Sequence, residues 1–174
     1  VGARVLERGG NAVDACVAAG FASWATESPL TGPGGAGFML VHTARDGRTR
    51  VLDFFATVPS GRREDPTDVT IVFEGSQTQL FRIGTGSCAV PGSTAGLEAA
   101  HRSYGSLEWR ELVRPALELA RDGFEVTESQ AYLHMILAPV LSNTPAAGLP
   151  TGARLAWPEL AHTLERIARR GSAA

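Results

Sequence analysis

The 174-residue chain contains no lysine, and all 16 of its basic residues are arginine. Schiff-base chemistry on a lysine and the phosphate-gripping lysine of a Walker loop are therefore both excluded within these residues. An excess of positive charge is lacking too, because those 16 arginines face 18 aspartates and glutamates for a formal net charge of -2. Such a chain has no broad cationic field to gather phosphates, and nucleic acid is not expected as a partner. Cysteine is scarce: Cys16 and Cys88 are too few for a disulfide scaffold and too far apart for a metal knuckle. No uninterrupted apolar run of about 18 residues occurs, so no membrane span is expected. Val1 lies inside an expected helix, with no Met, basic segment or cleavage site around it. The sequence reads as an internal fragment whose true start, with any export signal, is missing.

What is present suits a globular core: 44% of the residues are hydrophobic and 20% charged, too apolar a balance for disorder. At this length a single fold can bury roughly 70% of its unfolded surface. No repeat or low-complexity tract is seen, and the linker-like stretch from Asn143 to Gly152 is short with similar flanks. One domain over 1–174 is expected.

Gly9 and Gly10 end a first helix from Val1 to Arg8, and Asn11 then stands as an N-cap three residues before Asp14. A second helix, Ala12 to about Ala25, carries apolar residues almost all round its axis and should lie at the centre of the core. After a glycine-rich loop, Phe38–Thr43 and Arg50–Phe55 read as strands joined through Asp46-Gly47. Asp68–Phe73 and Gln79–Ile83 read as two more. The second half is helix-rich. An extended piece, Ser87–Val90, leads through Pro91-Gly92 to a helix ending at Tyr104. Pro115 should break or kink the next helix, which stops at Gly123. Thr127 and Gln130 form a capping box for a helix reaching roughly Leu141, and Trp157-Pro158 opens a last amphipathic one. The fold class expected is α+β.

Two loops imitate catalytic motifs. Gly32-Pro33-Gly34-Gly35-Ala36-Gly37 satisfies G-x-G-x-x-G, yet it follows a helix and feeds a strand, the reverse of the order that presents amides to a pyrophosphate. A tight turn passed closely by other backbone is the preferred reading. Gly92-Ser93-Thr94-Ala95-Gly96 resembles a nucleophile elbow centred on Thr94. An elbow needs a later histidine base and an acid, whereas His101, His134 and His162 all fall in expected helices. A helix start after Pro-Gly explains the same residues more simply. His42 is expected on a strand surface, Asp14 as a cap with burial as its alternative, and Cys16 as a small core hydrophobe. Glu108, Glu111, Glu118 and Asp122 read as a solvated helix face.

Four blocks together, Gly9-Gly10-Asn11-Ala12-Val13-Asp14-Ala15, Gly32 to Phe38, Leu52-Asp53-Phe54 leading to Pro59, and Val90-Pro91-Gly92 with Ala95-Gly96-Leu97, resemble the gamma-glutamyltransferase family in order and spacing. The similarity continues through Tyr104-Gly105 and Gly123-Phe124 to Leu160-Ala161 with Leu164, nearly the whole chain. The resemblance implies an N-terminal nucleophile hydrolase of αββα layering, made as a precursor that cuts itself into a large and a small subunit. This chain resembles the first part of the large subunit, and the small subunit is its implied partner. The implied nucleophile is a Thr at the start of the small subunit with its own α-amino group as base. It is expected beyond position 174, as are the oxyanion donors, so no catalytic residue is assigned here. No metal or organic cofactor is implied.

The same resemblance implies an Arg that grips the α-carboxylate of a glutamyl group, within a pattern like Leu-Asp-Phe-Arg-Glu. Here the stretch is Leu52-Asp53-Phe54-Phe55-Ala56, so Phe55 occupies the substrate-binding position and offers no donor. No Arg lies between Arg50 and Arg62, although Arg50 would approach the pocket if the strand shifted. The expected activity is that of an amide hydrolase or acyltransferase on a small amide. Gamma-glutamyl substrates are the family default, and a site with Phe55 would suit a less polar acyl group or an acid held by some other donor. Two rivals stand beside it: a non-catalytic binding or structural protein derived from the family, and an α/β-hydrolase centred on Thr94.

Overall fold

In the computed structural model, which describes residues 1–61 and 64–174 with Glu74 placed by its backbone, α1 (Gly2–Glu7) and α2 (Ala12–Thr26) lead into a hairpin of β1 (Gly37–Thr43) and β2 (Arg48–Phe54). A second hairpin, β3 (Thr67–Val72) with β4 (Thr78–Ile83), precedes α3 (Ser93–Tyr104) and α4 (Trp109–Asp122). The chain ends through β5 (Phe124–Glu125), α5 (Glu128–Ile136), α6 (Ala138–Leu141), β6 (Arg154–Leu155) and α7 (Pro158–Arg170). Each strand pair is antiparallel. The α+β class with a helix-rich second half is as the sequence predicts.

Helix α2 is the hub, packing on α1, α3 and α4, while α4 packs in turn on α7. Phe21 is fully buried at its centre, edge-on to Trp24 and Trp109 at ring separations of 4.7 and 5.3 Å. The indole donors tie the helices together: Trp109 donates to the Ile167 carbonyl at 2.9 Å and Trp157 to the Ala25 carbonyl at 3.0 Å. One face of α2 stays open, however. Cys16 lies exposed on it with Ala12 and Ala19, so the core position expected for Cys16 is not observed. A second apolar cluster gathers Ile71, Val126, Leu137, Leu141, Ala146 and Leu155 around the β3–β4 hairpin and α5–α6.

Three local expectations change. Helix α4 runs through Pro115 without a break, because Leu112, Val113, Ala116 and Ala120 are buried on both sides of the proline and offset a cost of about 3 kcal/mol. Conversely, the single helix expected to reach Leu141 is divided at Leu137, since Pro139 has no N–H with which to continue the ladder. Ser87 belongs to a 3-10 turn, Cys88 after it is extended, and Val90 forms a bridge to Thr57.

His134, on α5, is buried, and its Nδ1 has no hydrogen-bond partner among the described residues. Burial pushes its pKa below the ordinary histidine range, against a weaker opposing pull from Glu27. The unfolded chain takes up this proton near pH 6.5 and the folded chain resists it, so the contribution is intact above that pH and is lost as pH falls below it. The melting temperature is expected to drop between pH 7 and pH 5.5, and His134→Gln should flatten that drop. Parallel profiles for the two proteins would contradict this.

Candidate functional site

The turn between β1 and β2 sets everything on the hairpin. Gly47 takes φ +65° and donates to the Thr43 carbonyl at 2.9 Å, which closes the pair Thr43–Arg48. That register starts β2 two residues earlier than expected and places Phe38 opposite Asp53, Leu40 opposite Val51 and His42 opposite Thr49. Side chains alternate across the hairpin. Met39, Leu52 and Phe54 turn toward the helices, whereas Phe38, Leu40, Val51, Asp53 and Phe55 form the exposed outer face.

Phe55 follows the last residue of β2. Its N–H donates to Asp53 Oδ1 at 2.9 Å, which removes that donor from the ladder and ends the strand one residue sooner than expected. The Phe55 ring stacks on Phe38, with centroids 5.3 Å apart and planes at 13°. Both rings are about three-fifths exposed, at 60% and 61%. Arg50 lies on the other face of the strand, bound to Thr43 Oγ1 at 2.9 Å and to Asp46 at 2.7 Å. A one-residue slip would be needed to bring it across, and that slip would also turn Phe54 out of its packing. Arg50 therefore does not join Phe55.

Phe38 is the neighbour missed at the level of sequence. The signal was partial: a two-residue Asp46-Gly47 turn sets Phe38 directly opposite Phe55, and the four-residue loop between Thr43 and Arg48 shifts the pairing by two, so that Phe38 faces Asp53 and lies diagonally across from Phe55.

The glycine-rich loop contacts protein backbone. The Gly35 carbonyl accepts from the N–H groups of Gly92 and Ser93, both at 3.1 Å, so amides at the start of α3 are already occupied by this loop. Gly92 and Gly96 are both needed against Phe54: a Cβ on Gly92 would collide with the Phe54 carbonyl oxygen, and one on Gly96 with its ring. Packing thus accounts for both glycines of the elbow-like sequence. Thr94 borders a small cleft with Pro33, Thr163, Arg166 and Ser172, and no histidine lines it. His101 is engaged elsewhere, with Nε2 2.7 Å from the Leu107 carbonyl oxygen, His134 lies buried on α5, and His162 is exposed on α7.

Asp14 proves to be both cap and buried acid. Asn11 Oδ1 accepts from Val13 and Asp14 N–H while Asp14 Oδ2 accepts from Asn11 N–H at 2.9 Å, a complete capping box. The same carboxylate takes the Ser106 hydroxyl at 2.6 Å and the Ser106 N–H at 3.0 Å. Asn11 Nδ2 donates to the Tyr104 carbonyl at 2.6 Å. Burial opposes the charge, yet the hydrogen bonds from Ser106, Asn11 and Leu107 outweigh it and hold the carboxyl below its usual range. His42 is exposed and meets Thr49 Oγ1 at 3.0 Å, as a surface residue should. Among the described residues, no three His, Cys, Asp or Glu side chains gather as a metal site, and no helix is long and apolar enough to cross a membrane.

The family model described as gamma-glutamyltranspeptidase matches residues 1–174. Among curated proteins, the chain is 36% identical over 181 residues to glutathione hydrolase proenzyme 1 of Schizosaccharomyces pombe, covering 98% of this chain and 28% of that protein. It is 34% identical to the glutathione hydrolase proenzyme of Pseudomonas aeruginosa, covering 98% of this chain and 31% of the relative. The chain thus spans about a third or less of these relatives' length. Among solved structures, Helicobacter pylori gamma-glutamyltranspeptidase superposes with a TM-score of 0.80 at 27% identity, covering 97% of this chain and 50% of that one.

Proposed function

The chain belongs to the gamma-glutamyltranspeptidase family, and from that premise we propose that it forms the first part of the large subunit of an amide hydrolase or acyltransferase. In this reading the hydroxyl oxygen of an N-terminal Thr outside these 174 residues attacks the amide carbonyl. Its proton passes through the α-amino group to the leaving amine, and an acyl ester remains on the threonine. Water or an acceptor amine then takes the acyl group and restores the hydroxyl. The small subunit from the same precursor supplies the nucleophile. This chain supplies one wall of the acyl pocket and, by itself, is inactive.

The observation that carries the reading is the family match over the whole chain, together with the outward position of Phe55. Phe55 stands at the position where the family pattern has a carboxylate-gripping Arg, and on the described hairpin both strand arginines, Arg48 and Arg50, alternate onto the opposite side from it. Among the described residues, a carboxylate entering there meets no guanidinium fork.

The test is made on the full precursor. It should appear on a denaturing gel as two chains and hydrolyse N-acyl anilides. Replacing the first threonine of the smaller chain by Ala should abolish turnover, while Thr94→Ala should leave kcat/KM within about threefold, as expected of a surface change. An uncut precursor without turnover would support a non-catalytic protein, and turnover lost with Thr94→Ala would support the elbow.

A further inference from the structure

Phe38 extends the reading of that pocket. Its ring stacks on that of Phe55 in nearly parallel planes, which leaves the outer faces and edges of the pair exposed, and the other apolar side chains on the same face are Leu40 and Val51. A charged neighbour among the described residues is Asp53, directly opposite Phe38 and fixed by the Phe55 N–H. A carboxylate brought to this surface would meet an anion, whereas a neutral ring would extend the stack on an outer ring face or meet a ring edge, in the offset or edge-on arrangements aromatic groups prefer. The helical layer does not cover the pair, because Phe54 between Asp53 and Phe55 turns the other way into Gly92 and Gly96 of α3.

We propose that the Phe38–Phe55 stack is an aromatic subsite that selects an uncharged arylacyl group, with Phe38 a second specificity-determining residue. The proposal rests on the amide-hydrolase reading above. Chain length alone does not satisfy the subsite. A linear aliphatic acyl group of similar size gains contact area there but no ring-on-ring interaction.

The experiment uses the full precursor and three anilides, phenylacetyl, hexanoyl and γ-glutamyl, with kcat/KM and melting temperature measured for wild type, Phe38→Leu and Phe38→Tyr. Phenylacetyl anilide should be the best of the three. Phe38→Leu should lower its kcat/KM about three- to tenfold, the size expected of one aromatic pair, and change the hexanoyl value much less. Phe38→Tyr, which keeps the ring, should retain the preference. A phenylacetyl-to-hexanoyl ratio unchanged by Phe38→Leu would overturn the proposal, and so would equal losses on both substrates accompanied by a lower melting temperature. Absence of turnover on all three anilides would instead overturn the hydrolase reading. Calorimetric titration with phenylacetamide then decides the subsite separately: binding weakened by Phe38→Leu supports it, and no binding to wild type overturns it.

Discussion

Asp14→Ala is expected to destabilise the protein by about 3 kcal/mol or more, because a lost helix cap costs about 1 kcal/mol and each buried donor left without a partner costs about 1–3 kcal/mol. The carboxylate is fully buried and receives Asn11, Ser106 and Leu107 donors. Two of those residues lie 92 and 93 positions away in sequence, so the loss uncouples the start of α2 from the turn between α3 and α4. Asp14→Asn keeps the size but turns an amide toward donors, and should recover only part of the loss. The charge also carries a pH signature. The folded pKa lies below the unfolded value of about 3.9, so the stabilisation is present above that value and disappears as pH falls through the folded one. Urea unfolding of the full protein near pH 7 measures the first effect, and a loss below 0.5 kcal/mol would contradict the assignment.

Gly92→Ala and Gly96→Ala should each cost about 1–3 kcal/mol or more, as overpacking does, and should differ in whether they can be rescued. At Gly96 the obstacle is the Phe54 ring, which Phe54→Leu would shorten; at Gly92 it is the Phe54 carbonyl, which no side-chain change removes. The double variant Gly96→Ala with Phe54→Leu should therefore lose less than the sum of its parts. Gly92→Ala with Phe54→Leu should be additive or worse. The same coupling in both pairs would show that the β2–α3 contact is not held as described.

Local signals made much of this legible. Asn11 with Asp14 and Thr127 with Gln130 state their helix starts in four residues, and both capping boxes form. The Asp46-Gly47 turn located the hairpin. What local patterns could not give was decided by contacts from elsewhere in the chain. Pro115 stays helical because α2 and α7 bury the residues around it. Cys16 sits in an apolar stretch like its buried neighbours, and its exposure follows from which sides of α2 the other helices cover. Asp14 showed its cap in sequence, but not Ser106, whose approach depends on how α3 returns. Phe55 was singled out by family pattern alone, and its partner Phe38 emerged only with the strand register.

The central claim, that the acyl site lacks a carboxylate fork because Phe55 occupies its place, is tested by kcat/KM of the full precursor for γ-glutamyl anilide and a matched hexanoyl anilide, in wild type and Phe55→Arg. A missing hydrogen bond to a charged group costs roughly 1.5 to 3 kcal/mol, so wild type should favour the hexanoyl compound by about one to two decades. Phe55→Arg should narrow or reverse that ratio, by less than the full amount where Asp53 competes for the new guanidinium. Efficient turnover of the γ-glutamyl compound by wild type, unchanged by Phe55→Arg, would show that another residue holds the carboxylate and would contradict the account.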